Sequence, residues 1–160
     1  MTILGIDPGT TRIGFGIVHK EGSAFRASAS GLFEYPQDSH RFEKEFTSLI
    51  ATHKPEAAAI EKIFFAKNQK TALEVTEMRG VIKFLIQKQN IPILEFTPLE
   101  VKQYITGYGR ADKKQLETMT LKVLALAKKP KYDDESDALA IALCGALAYP
   151  MHKKTKVTIP

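Results

Sequence analysis

Four consecutive apolar residues, Ala57-Ala58-Ala59-Ile60, stand between Pro55 and Glu61, and no other feature narrows the fold as much. A strand with one face in water alternates apolar and polar residues, whereas a strand covered by helices on both faces does not. The run therefore predicts a central strand, parallel to its neighbour, in a sheet sandwiched between helices. The remaining parts agree with it. Residues 2–7 and 13–19 flank Asp7-Pro8-Gly9, a strong turn signal, and read as two strands of a hairpin. A third strand is expected over 25–34, and Phe42, Phe46, Leu49 and Ile50 fall at helical spacing within 38–53. A long helix over about 70–89 and a short strand over 92–96 come next. Thr97 is a plausible cap for a helix that opens at Pro98 and breaks at 106–110. Two further helices, 112–127 and 133–149, are separated by Lys128, Lys129, Pro130 and Lys131. The order β-β-β-α-β-α-β-α-α-α predicts an α/β fold, a mixed five-stranded sheet flanked by helices. No repeat or linker divides the chain, so residues 1–150 read as one domain, and 151–160, with Lys153, Lys154 and Lys156, as a basic frayed tail.

At 160 residues the chain can bury roughly 70% of its unfolded surface, enough for a core without staples, and its one cysteine, Cys144, cannot make an internal disulfide. No apolar run is long enough to cross a bilayer, and the first residues lack the basic-then-apolar layout of a signal peptide, so no membrane association and a cytoplasmic location are expected. The net charge of +5 favours a polyanionic partner.

Four carboxylates carry the chemistry. Asp7 ends the first strand, although Asp-Pro-Gly is also an ordinary turn opening. Glu61 closes the buried run, at the carboxyl end of a central strand, where open α/β sheets bind their ligands. Asp133, Asp134 and Glu135 suit the start of a helix, whose dipole favours acids there. Asp137 has no such explanation. At about 100° per residue, Asp134, Asp137, Ala138, Ile141 and Gly145 share one stripe, so the two carboxylates continue a core-facing apolar face. Carboxylates so placed need a counter-charge or a cation. An all-oxygen set without His or Cys spacing suits Mg²⁺ or Mn²⁺ rather than zinc. Two such ions about 4 Å apart, bridged by a shared Asp, would activate water and stabilise the leaving oxygen of a phosphodiester.

Gly5-Ile6-Asp7-Pro8-Gly9, Ile60-Glu61 followed by Phe64, Phe65, Ala66, Lys67 and Asn68, Arg79-Gly80-Val81, and Asp134-x-x-Asp137-Ala138-Leu139-Ala140-Ile141-Ala142 resemble, in order and spacing over about residues 1–150, the RuvC Holliday-junction resolvases. The resemblance implies a ribonuclease H-like fold, a homodimer, Mg²⁺-dependent symmetric nicking of four-way DNA junctions, and cooperation with the RuvA and RuvB branch-migration proteins. Carried over by position, it makes Asp7, Glu61, Asp134 and Asp137 the catalytic and metal-binding set. Some members have His in place of Asp134, which leaves Asp133, four residues before Asp137, as a possible substitute.

Other readings share parts of this pattern. Asp7-Pro8-Gly9-Thr10-Thr11 is similar to the phosphate loop of the actin, Hsp70 and sugar-kinase ATPases, but those need two such domains. A nuclease for structured RNA differs in which substrate it cuts, and a junction-binding module without chemistry leaves Asp134 and Asp137 unexplained. Lys102 and Lys113 match basic positions of the resemblance and are expected to contact phosphates. Phe64, beside Lys62 and Lys67, suits stacking on an unpaired base, with Lys70 and Arg110 as weaker DNA-binding candidates. In the long helix, Leu73, Val75, Met78, Val81, Ile82, Phe84, Leu85 and Ile86 cover more of the circumference than one core-facing stripe requires. A helix apolar on two sides must bury both, which predicts a second copy across a two-fold axis; a charge at Ile82 or Leu85 should give monomers that bind junctions weakly or, where that residue faces the sheet, unfold the chain.

Overall fold

The computed structural model describes residues 1–9, 11–34, 39–62 and 69–155, with the side chains of 69–72 and 152–155 left aside. Its elements are β1 (Thr2–Pro8), β2 (Arg12–Glu21), β3 (Ala24–Glu34), α1 (Ser39–His53), β4 (Ala57–Glu61), α2 (Gln69–Lys88), β5 (Ile93–Phe96), α3 (Pro98–Thr106), α4 (Lys113–Val123) and α5 (Asp133–Thr155). The strands form one mixed sheet in the order β3-β2-β1-β4-β5. β1 pairs antiparallel with β2 and parallel with β4, and β4 is parallel to β5, so the alanine run lies between two parallel neighbours as its composition requires.

Side chains of a strand point alternately to opposite faces, and β4 divides accordingly. Ala58 and Ile60 join a core with Leu4, Ile6, Phe42, Phe46, Ile82 and Ile86, beneath α1 and α2. Ala57 and Ala59 join a second core with Ile3, Leu94, Val101 and the apolar residues of α5. The same alternation turns Asp7, which follows Ile6, and Glu61, which follows Ile60, toward the face that α5 covers.

α5 lies unusually close to the sheet because glycines of β1 and β2 leave it room. A Cβ on Gly5 would overlap the Ala138 carbonyl and the Ala142 amide, and one on Gly14 would overlap the Asp134 carbonyl. One on Gly16 would stand 2.8 Å from the Leu139 nitrogen. β1 and β2 pair Asp7 with Gly14, so the helix turn carrying Asp134 rests beside the strand end carrying Asp7.

Two helix ends differ from the sequence expectation. α4 stops at Val123 rather than 127, because Ala125 takes a left-handed φ of 52° and Leu126 donates back to the Leu121 carbonyl at 2.9 Å, while Leu124 is buried. α5 passes through Pro150 and ends at Thr155 rather than 149. The expected start of α3 is met: Thr97 Oγ1 accepts from the Glu100 amide at 3.1 Å, and Glu100 accepts in return from the Thr97 amide at 2.7 Å.

Candidate active site

Three elements deliver the four carboxylates to one end of the sheet: β1 carries Asp7 as its penultimate residue, β4 ends with Glu61, and the first turns of α5 carry Asp134 and Asp137. They act on each other strongly. Burial, followed by the charges of Asp137, Glu61 and Asp134, pushes the Asp7 carboxyl up from 3.8 to about 7, against the pull of Lys113. Burial and then Asp137 likewise raise Glu61, with Lys102 opposing them. Carboxylates crowded in this way lack positive charge.

Two basic side chains supply part of it. Arg12 reaches Asp134 at 3.3 Å with its guanidinium over the Tyr132 ring, 4.9 Å from the centroid. Lys113 donates to Asp137 at 3.0 Å and to Asp133 at 3.3 Å. Partial burial works against the Lys113 charge, but its bonds to Asp137 and Asp133 outweigh that and raise its pKa. Asp133 belongs to a different arrangement. Its side chain is 61% exposed against 28% for Asp134, and it is paired with Lys129 at 2.8 Å as well as with Lys113, whereas Asp134 is one of the charges that raise Asp7. Lys129 and then Lys113 hold Asp133 below the usual carboxylate range.

The donors are acceptor-only oxygens that repel one another, which is the chemistry a hard divalent cation answers. Among the described residues no three acidic, His or Cys side chains are grouped so as to hold a metal ion as they stand. Arg12 and Lys113, paired with Asp134 and Asp137, are the competitors that an ion would meet.

Beside the carboxylates, a cleft of about 250 Å³ opens between the end of β4 and α3, α4 and α5, lined by Glu61, Lys102, Lys113 and Asp137 among others. Lys102 is half-buried at its wall, and Arg110 is exposed between α3 and α4. Phe64 lies outside the described residues, and Lys70 sits in the first turn of α2 with its side chain outside them too. Sequence reasoning missed Arg12. The hairpin pairs Pro8 with Ile13, which puts Arg12 one residue beyond the tip of β1, so the turn signal at Asp7-Pro8-Gly9 was also the signal for a cation at this end of the sheet, where it meets Asp134.

Comparison with known proteins gives a consistent picture. The family model described as Crossover junction endodeoxyribonuclease RuvC matches residues 3–145. The crossover junction endodeoxyribonuclease RuvC of Petrotoga mobilis is 45% identical over 150 residues, covering 90% of this chain and 92% of the relative. The solved RuvC of Thermus thermophilus superposes with a TM-score of 0.86 at 28% identity, over 95% of this chain and 97% of that one. The same Thermus thermophilus protein in complex with Holliday junction substrate also gives 0.86 at 28% identity, over 95% and 96% of the two chains.

Proposed function

The chain belongs to the RuvC family of crossover junction endodeoxyribonucleases, and on that premise we propose how its ribonuclease H-like fold resolves Holliday junctions. Asp7, Glu61, Asp134 and Asp137 are the catalytic carboxylates, with residues 1–150 working as one nuclease domain in the cytoplasm. The observation that carries this reading is the convergence of the four at one end of the sheet, where β1, β4 and the first turns of α5 meet; there burial, and after it the charges of Asp137, Glu61 and Asp134, lifts Asp7 to about 7. Carboxylates held this way, buried and close to one another, are stabilised by a divalent cation, which is why perturbed groups of this kind mark functional sites.

The family uses divalent metal; here the four carboxylates would hold Mg²⁺, two ions per site, with Mn²⁺ as a substitute. Bound there, the metal supplies an activated water and neutralises the charge that develops on the leaving oxygen. The chain's own residues do the rest. Lys113 and Arg12 hold Asp137 and Asp134 in place before metal and substrate arrive. Lys102, which lines the cleft with Glu61 and Asp137, would take a phosphate, and Phe64, Lys70 and Arg110 would extend the DNA contacts.

The substrate has near two-fold symmetry and must be cut on two strands, which calls for two sites facing alike. α2 supports a homodimer. Met78, Ile82, Leu85 and Ile86 are buried on the sheet, while Leu73, Val81 and Phe84 on another face are 58%, 44% and 62% exposed. Gly80 sits in the same helix, and among the described residues nothing lies within 4 Å of where its Cβ would be. A mid-helix glycine costs about 1 kcal/mol relative to alanine, and close approach by a second helix would justify it. RuvA and RuvB complete the proposed set of partners.

Cleavage of a synthetic four-way junction tests the site. Asp7→Asn, Glu61→Gln and Asp137→Asn should each abolish nicking while sparing junction binding, and normal cleavage by Asp137→Asn would remove the carboxylate assignment.

A further inference from the structure

Arg79 is used by nothing described so far, yet it is drawn to the backbone of Glu61. It projects from α2 with its side chain only 16% exposed. Its Nε donates to the Glu61 carbonyl oxygen at 3.1 Å, and its Nη2 donates to Glu95 Oε2 at 2.6 Å. Glu95 belongs to β5, and its other carboxylate oxygen is taken by Lys83, one turn beyond Arg79 on α2.

The Glu61 carbonyl and the Lys62 amide belong to one peptide plane, and both ends of that plane are held. Arg79 donates to the oxygen, and the Lys62 amide donates to the Phe96 carbonyl at 2.7 Å. That plane sets how the backbone leaves Glu61, hence where the Glu61 side chain starts. The arrangement also needs arginine in particular. Two nitrogens of one rigid fork go to two different acceptors, a backbone carbonyl and a carboxylate, whereas lysine has a single nitrogen on a flexible stem.

We infer that Arg79, braced by Glu95 and Lys83, is a positioning residue that fixes the Glu61 carboxylate at the end of β4. This rests on Glu61 being one of the catalytic carboxylates. The bland alternative is an arginine that only ties α2 to the sheet, in which case its loss lowers stability and nothing else in particular.

Four measurements on the full chain separate the two: single-turnover cleavage of a saturating four-way junction, junction affinity without cleavage, Mn²⁺ binding by calorimetry in the absence of DNA, and Tm. Arg79→Lys and Arg79→Gln should both cleave roughly tenfold or more slowly and bind Mn²⁺ several-fold more weakly, the usual scale for a group that orients a ligand. Junction affinity should stay within about twofold, because the phosphate contacts are elsewhere. Glu95→Gln keeps the arginine and unhooks only its far end. It should show the same pattern more weakly, and it serves if the arginine variants fold poorly. Full cleavage and Mn²⁺ affinity in Arg79→Lys would overturn the inference, and so would losses in all variants that merely follow Tm. Glu61→Gln is run alongside. If it is inactive while Arg79→Lys is normal, the positioning role alone fails; if Glu61→Gln cleaves normally, the reading of the site fails first.

Discussion

Asp7 is held in a position that works against folding. Each unit by which a native carboxyl stands above its unfolded value costs about 1.4 kcal/mol once the group ionises, so the rise from 3.8 to about 7 costs roughly 4 kcal/mol at alkaline pH. The sign follows from which state keeps the proton. Between about pH 4 and 7 the unfolded chain has lost it and the native chain has not, so this contribution to stability is full below 4 and gone above 7. Asp7→Asn should therefore match the parent near pH 4 and exceed its Tm at pH 8, in metal-free buffer. Added Mg²⁺ should raise the parent's Tm at pH 8 and leave that of Asp7→Asn nearly unmoved, which thermal scans at the two pH values would check. Asp134→Asn should impair nicking severely and Asp133→Asn mildly, since Asp133 is an exposed partner of Lys129 and Lys113 while Asp134 is one of the charges that raise Asp7. Junction-cleavage rates in the opposite order would exchange their roles. At this scale the sequence was legible wherever a residue type contradicted its surroundings: Asp137 on an apolar stripe, Glu61 closing an apolar strand. It was silent where a residue works through distance. Arg12 and Arg79 look like ordinary surface cations until the hairpin register and the α2 face place them against Asp134 and the Glu61 carbonyl.

At the scale of elements, the site depends on how closely α5 can lie on the sheet, and that depends on what β1 and β2 lack. Gly14→Ala should force the Asp134 turn away from Asp7, because the new methyl would meet backbone that cannot rotate aside. Overpacking of this kind costs about 1–3 kcal/mol, and nicking should fall by more than the loss of folded protein explains. Unfolding curves and cleavage rates on the same samples would decide it, and an alanine variant with parental values of both would show that α5 has slack. The helix itself was only half legible. A single apolar stripe was the expectation, yet residues from Ala138 to Ala146 are all buried, because α3 and α4 cover the side that the sheet does not. An uninterrupted run of Ala, Leu, Ile and Cys carried that information, and the periodicity argument passed over it. The two lysines separate for a similar reason. Lys102→Ala should flatten the log-log dependence of junction affinity on salt by about one unit, as the loss of one phosphate contact does. Lys113→Ala should change that slope less and cleavage more, since its ammonium is committed to Asp137 and Asp133. Titrations at several salt concentrations that gave both lysines the same slope change would return Lys113 to the phosphate-contact class.

For the whole molecule the decisive surface is the face of α2 that the chain does not bury. Excess apolar residues on this helix were visible in the sequence, but periodicity alone could not say which of two faces met the sheet. The structure assigns Ile82 and Leu85 to the core, 0% and 5% exposed, so of the two expected outcomes a charge at either position gives unfolding and tests folding rather than assembly. Val81 and Phe84, which with Leu73 make the exposed apolar positions of this helix, are the ones that probe the proposed partner. A two-fold axis along this stripe brings the same residues of both copies together and leaves each active site, on the far side of its sheet, open to DNA. It would also tie the two sites together mechanically, because Arg79 and Lys83 run from the same helix to Glu95 and the Glu61 carbonyl. The parent chain should therefore sediment at micromolar concentration with about twice the 17.8 kDa chain mass. Phe84→Glu should sediment as a folded monomer with nearly parental Tm, should bind junctions weakly, and should lose the pairing of its two nicks before it loses nicking itself. Gly80→Ala separates helix propensity from contact: it should raise the stability of that monomer by up to about 1 kcal/mol while weakening the dimer of the parent. A Phe84→Glu protein that stayed dimeric and made paired nicks would place the two-fold axis on another surface and leave Gly80 without an explanation.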